Sequence, residues 1–150
     1  MNQKSAKEQQ AEDSQKSGFS EIEKAAMKQR AKELKAKKNA AAAEQEALDK
    51  ISEMSETNRQ IATQLHKLVQ HKFPELASKT WYGMPAYTKD GKVLCFFQSG
   101  DKFGSRYSTL GFSDLAQLDD GAMWPSSYAL TQWNSEVEAE IAGLIKKAIA

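Results

Sequence analysis

Apolar side chains change their spacing three times along this chain. From 1 to 18 the residues are mostly Gln, Lys, Glu and Ser without any hydrophobic period, and such a segment is expected to be disordered. A helix is expected to begin at Ser20. Its hydroxyl can cap the first turn, with Glu23 at capping-box spacing. From Glu21 to about Glu46 there is no Gly or Pro, and Ala, Lys, Glu, Gln and Arg dominate, all good helix formers. Met27, Ala31 and Leu34 form only a thin apolar stripe. Leu48, Ile51 and Met54 then recur every third residue, which predicts a short helix opening the folded domain. Thr57 with Gln60 offers a second capping box, and Ile61, Leu65, Leu68 and Val69 make a helical stripe that ends near Phe73 and Pro74.

Beyond Pro74 the period becomes that of strands. Lys79 to Tyr82 reads as a strand, broken or bulged at Gly83 and Pro85, resuming from Ala86 to Thr88. Asp90-Gly91 is a two-residue hairpin signal. Lys92 to Gln98, with Val93, Leu94, Cys95, Phe96 and Phe97 in succession, reads as a central strand covered on both faces. Ser99 to Gly104 is a turn region, and Arg106 to Phe112 alternates as a further strand. Ser113 to Leu118 suits a short helix, Asp119-Asp120-Gly121 a turn, and Met123-Trp124 and Tyr128 to Leu130 short strands. Asn134 caps a final helix with Val137, Ile141, Leu144, Ile145 and Ala148 on one face. Strands grouped between helices predict an α+β fold: an antiparallel sheet of four to five strands with helices packed on one face, preceded by a long charged N-terminal helix. The implied organisation is a tail, 1–18, a charged helical arm, 19–47, and a domain, 48–150.

Composition agrees with this division. All three Trp, all four Tyr and five of the six Phe lie in the last hundred residues, so the core is expected there. A net charge of +1 gives no global case for nucleic acid as a partner. The one cysteine, Cys95, excludes an internal disulfide, as a reducing compartment would allow. The N-terminus lacks the apolar stretch of a signal peptide, and no run of about eighteen apolar residues can span a membrane. The expected location is the cytoplasm.

Little in the chain points to catalysis. Cys95 sits mid-strand between Leu94 and Phe96, a place for a small core residue and not for a reactive thiolate. His66 and His71 lie about 140° apart around one helix, so they cannot share a metal ion without a distant third ligand. Gly100 and Gly104 lack the Gly-Lys-Ser/Thr ending of a phosphate loop. Lys28, Arg30, Lys32, Lys35, Lys37 and Lys38 set six positive charges against Glu33. With no interleaved aromatic residue, these read as a solvated arm. Among the aromatic residues, core packing is expected of Trp81 and Trp124. Tyr82, Met84, Tyr87, Arg106 and Tyr107 are the candidates for a ligand surface, because aromatic rings with an Arg are what small-molecule grooves and protein hot spots use.

Trp81-Tyr82-Gly83-Met84-Pro85-Ala86-Tyr87, the Asp90-Gly91-Lys92 turn and Phe96-Phe97-Gln98 carry a family resemblance. So do Lys102-Phe103, Arg106-Tyr107, Thr109 to Phe112, Leu118 to Gly121 and Met123-Trp124-Pro125. Together they resemble the YdhG-like domain family, largely of unknown function, and the likeness extends from about Phe19 onward. It implies a compact antiparallel-sheet domain with flanking helices. Some relatives are described as frataxin-like iron chaperones, so the resemblance also implies iron as a cofactor or cargo. Asp114, Asp119 and Asp120 are then the candidate metal ligands, since carboxylates suit such ions.

Three readings follow. The leading one is a small intracellular, non-enzymatic binding domain that holds a small ligand or peptide on the sheet face and the Gly83-Met84-Pro85 bend. The second is an iron-binding chaperone acting through surface carboxylates. The third is an assembly protein whose arm joins two subunits through Ile22, Met27 and Leu34.

Overall fold

The computed structural model describes residues 20–150; the tail expected at 1–18 lies outside the described residues. The described residues fall into two units, divided between Asn39 and Ala40. The elements are α1 (Glu21–Ser52), α2 (Glu56–Lys72), β1 (Ala77–Trp81), β2 (Met84–Lys89), β3 (Lys92–Gln98), α3 (Gly100–Phe103), β4 (Ser108–Phe112), β5 (Ser127–Leu130) and α4 (Ser135–Ile149). The fold is α+β. Its five strands form one antiparallel meander in the order β1-β2-β3-β4-β5.

In the first unit, α1 starts as its cap predicts: Ser20 Oγ accepts a hydrogen bond from the Glu23 N–H at 3.2 Å. Every residue from 20 to 42 is exposed. The separate helix expected around Leu48 is the C-terminal part of α1, because no Gly or Pro interrupts the run. Its buried residues in the second unit are Ala47 and Ile51, with Met54 half-buried against the core just beyond the helix end, whereas Leu48 is 37% exposed.

Helix α2 begins at Glu56, after Ser55, and not at the expected Thr57–Gln60 box. Its cap comes from elsewhere in the fold: the Asp101 carboxylate accepts from the Ser55 N–H at 3.3 Å. Helix α4 starts as predicted, with Asn134 Oδ1 accepting from the Val137 N–H at 2.9 Å.

Two tight hairpins organise the sheet. Asp90 and Gly91 have φ of 51° and 80°, and Lys89 faces Lys92 across the turn. The segment expected to be a bulge at Gly83 is a second hairpin of the same kind. Tyr82 and Gly83 have φ of 49° and 74°, and Trp81 faces Met84. Two successive positive φ values are what a type I′ turn requires, and that turn's twist matches the strands it joins. The actual bulge lies in β3. Tyr87 pairs with Cys95 but Thr88 pairs with Val93, so Leu94 is the extra residue. The short helix expected at Ser113 to Leu118 is a turn, with Ser113 Oγ accepting from the Leu115 N–H. Met123-Trp124 forms no strand.

The pleat divides the sheet into two faces. Tyr87, Cys95 and Phe112 lie in one cross-strand row, with Phe97, Leu110 and Tyr128 in the next. This face joins Ile51, Ile61, Leu65, Val69, Ile141 and Ile145 in the core. Strand β3 is therefore not covered by helices on both sides. Its other face belongs to the row Lys79, Ala86, Phe96, Gly111 and Ser127, flanked by Trp81 and Met84, none of which joins that core.

Candidate functional site

The helix-free face carries a floor of aromatic rings. Trp81 on β1 and Phe96 on β3 meet at 5.1 Å between ring centroids, across the strand that holds Ala86. Small neighbours let these rings lie down. Ala86 is wholly buried although it lies outside the helix-packed core. A Cβ built on Gly111 would sit 2.3 Å from Phe96 Cζ, so the Phe96 ring lies directly on the β4 backbone. Tyr82 packs edge-on against Trp81 at 4.9 Å and is 80% exposed. Trp81 and Phe96 are half-buried. Three rings in succession thus present apolar area to solvent beside the Tyr82-Gly83 turn.

One lysine shares this face and another holds the turn beside it. Lys102 Nζ donates to the Gly83 carbonyl at 3.2 Å, and Lys79 lies on the same face one row from Trp81. Lys102 and Gly83 also line a cavity of about 300 Å³ together with Lys50, Met54, Ser99 and Asp101.

Arg106 and Tyr107 stand elsewhere, in the connection before β4 and not in the strand expected there. The Arg106 guanidinium lies 5.2 Å from the centre of the Tyr107 ring. Both line a polar cleft of about 280 Å³ with Ser55, Asn58, Asp101 and Ser108. Polar groups in this cleft are bonded to one another. Asn58 Nδ2 donates to Ser99 Oγ at 3.4 Å, Ser108 Oγ donates to Asn58 Oδ1 at 3.0 Å, and the Gly100 N–H donates to Ser108 Oγ at 3.0 Å. Hydrogen bonds from Ser55 and Asn58 hold the Asp101 carboxyl below its usual pKa.

The five residues expected to form a ligand surface do not converge. Tyr82 is at the hairpin tip, Met84 is buried on the helix-free face, and Arg106 and Tyr107 belong to the polar cleft. Tyr87 is a core residue, 1% exposed. Its hydroxyl lies 3.0 Å from His66 Nδ1, and His66 Nε2 lies 3.0 Å from Glu44 Oε1, to which Gln70 also donates. This chain ties α1, α2 and β2 together. Burial raises the Tyr87 phenol pKa, which keeps the hydroxyl neutral. Trp81 and Trp124, expected in the core, are outside it, and Trp124 is 36% exposed.

Asp114, Asp119 and Asp120 are exposed along the β4–β5 connection. Among the described residues, no three His, Cys, Asp or Glu side chains are grouped to hold one metal ion. Burial pushes the Cys95 thiol up to about 12. No helix of the described residues is long and apolar enough to cross a membrane.

Sequence reasoning missed two participants. In the sequence Phe96 reads as one of a buried run, and the bulge at Leu94 that sets its face leaves no mark in composition. In the sequence His66 stands only as a helix position without a metal partner, yet it is buried on α2 at the flank of the Ile61, Leu65 and Leu68 stripe. No protein-family model matches this chain, and no curated protein or solved structure matches it either.

Proposed function

We propose that this is a non-enzymatic binding domain whose ligand lies on the helix-free face of the sheet, over Trp81 and Phe96 and against Tyr82. The carrying observation is the succession of three contacting rings, Tyr82, Trp81 and Phe96, on the face outside the core. Exposed aromatic area of this kind is what a binding surface stabilises on contact, and edge-to-face or offset stacking gives it orientation. Lys79, on the same face one row from Trp81, favours a flat apolar or aromatic group that carries an acid. The segments that resemble the YdhG-like family, from Trp81 to Tyr87 and from Phe96 to Gln98, are also those that build the floor, which supports the reading.

Two further observations support the reading. The thiol of Cys95 and the imidazole of His66 are both sealed in the core, out of reach of a substrate. The polar cleft at Asn58 is the weaker seat, because its side chains already satisfy one another and a ligand would exchange those bonds for others of similar strength.

The test is a titration of isotope-labelled protein with three aromatic acids: indole-3-acetate, salicylate and adenosine monophosphate. Amide and ring shifts should concentrate at Trp81, Tyr82, Phe96 and Lys102 and should vanish in Trp81→Ala. No saturable shift at these positions with any of the three up to about 1 mM, the range of weak fragment binding, would sink the proposal.

A further inference from the structure

The arm part of α1 holds a charge pattern that the sheet-face reading does not use. Between Glu21 and Asn39 it has seven cations and three acids, a local charge of +4 in a chain whose total is +1. Five of these seven cations share one side of the helix, and Arg30 and Lys37 lie on the opposite side, about 180–200° from Lys28. At about 100° per residue, Lys28, Lys32, Lys35 and Lys38 fall within an arc of about 120°. Glu33, the one acid between Lys24 and Asn39, lies about 140° from Lys28. Lys24 continues the same face and pairs with Glu21 at 4.0 Å. All of these residues are exposed on a regular helix.

The spacing along the axis selects the partner. Ten residues at a rise of about 1.5 Å put the four ammonium groups of Lys28, Lys32, Lys35 and Lys38 over about 15 Å. One strand of duplex DNA presents a phosphate about every 3.4 Å of axis, or about four over the same length. Other occupants fit the helix less well. In the one heptad frame that aligns Met27, Leu34, Ala41 and Leu48, the alternate seam holds Ala31, Lys38 and Gln45, which is no coiled-coil interface. Ile22 lies on the opposite flank from Met27 and Leu34 at about 100° per residue, so the arm lacks the broad apolar face of a helix that lies in a lipid surface. No aromatic side chain is interleaved, and Gln29 and Arg30 lie outside the lysine arc, about 100° and 200° from Lys28, so this face reads charge and not base sequence.

We infer that the arm binds the phosphate backbone of double-stranded nucleic acid, without sequence preference, through Lys28, Lys32, Lys35 and Lys38. Net charge concealed this partner, because acids elsewhere in the chain balance the arm.

The experiment measures fluorescence anisotropy of a labelled random 20-base-pair duplex with the full-length protein across a salt series. Three proteins are compared: wild type, Lys28→Glu/Lys32→Glu/Lys35→Glu, and Lys72→Glu/Lys146→Glu/Lys147→Glu. The last has the same total charge as the arm variant but leaves the arm intact. Wild type should bind with a log–log salt slope of about −3.5, as about four contacts require. The arm variant should lose at least about tenfold in affinity at low salt, with a slope shrunk towards about −1. The control should bind within about threefold of wild type. Absence of saturable binding at about 50 mM salt would overturn the inference. So would equal losses in both variants, or tighter binding to phosphatidylglycerol vesicles than to the duplex.

Discussion

Gly111→Ala perturbs the aromatic floor at its support. The added Cβ would lie 2.3, 2.7 and 2.8 Å from three atoms of the Phe96 ring, whereas carbon atoms rest at about 3.5–4.0 Å. The ring must therefore move by more than 1 Å, roughly, which no few-tenths adjustment supplies. Because Phe96 is half-exposed, it can swing outward instead of straining the sheet. Leaving Trp81 forfeits the ring contact, about 0.5–1.5 kcal/mol. Uncovering on the order of 40 Å² of apolar surface costs about 1 kcal/mol more. Against this, replacing a strand glycine by alanine gains about 0.5–1 kcal/mol of backbone entropy. The net expectation is a loss of about 1 kcal/mol. In urea that corresponds to a midpoint lower by about 0.5–1 M with an unchanged slope. The decisive assay is a double-mutant cycle: in a Phe96→Ala background, Gly111→Ala should become neutral or stabilising. If Gly111→Ala costs as much without the Phe96 ring as with it, the ring is not what the glycine accommodates and the reasoning fails.

Three more outcomes follow, two from the interior and one from the exposed Asp101. Tyr87→Phe removes the hydroxyl beside His66 Nδ1 and should cost about 1–3 kcal/mol in urea denaturation, as a buried group left without a partner does; a cost below about 0.5 kcal/mol would mean that Glu44 alone secures the imidazole. Cys95, buried with its thiol pushed up to about 12, should resist Ellman's reagent at pH 8 in the native state and react at once in denaturant; native labelling at the speed of a free thiol would contradict its burial. For Asp101, the folded pKa is lowered by the bonds from Ser55 and Asn58, so its contribution to stability is present above the unfolded value near pH 4 and is lost as pH falls through the folded value. Asp101→Asn should therefore be less stable than wild type at neutral pH, with the gap closing in acid; a gap independent of pH would show that the charge plays no part.

Local chemistry explains which parts of this fold could be read in advance. Asp90-Gly91 announces its hairpin because both residues tolerate positive φ. Tyr82-Gly83 forms the same turn without announcing it, because tyrosine seldom takes that conformation and the following Pro85 mimics a break. Asn134 caps α4 through an atom three residues from its target, whereas α2 is capped by Asp101 from 46 residues away. A capping rule finds the first and cannot find the second. The candidate surface divides in the same way. Trp81, Tyr82 and Met84 stand out as a segment, but whether a ring faces helix or solvent depends on strand parity, and the bulge at Leu94 resets that parity in β3.

By itself, then, the order of residues determined the periodicities: a charged helix, an amphipathic helix, a run of strands and a final capped helix. It also determined the cationic stripe of the arm, because angular position on a helix depends only on residue number. Only the tertiary structure decided that Tyr87 and His66 are interior while Trp81 and Phe96 form an open floor. The reason is that strand pairing sets the faces of the sheet, and burial of Tyr87 requires partners, His66 and Glu44, that lie 21 and 43 residues away in the chain.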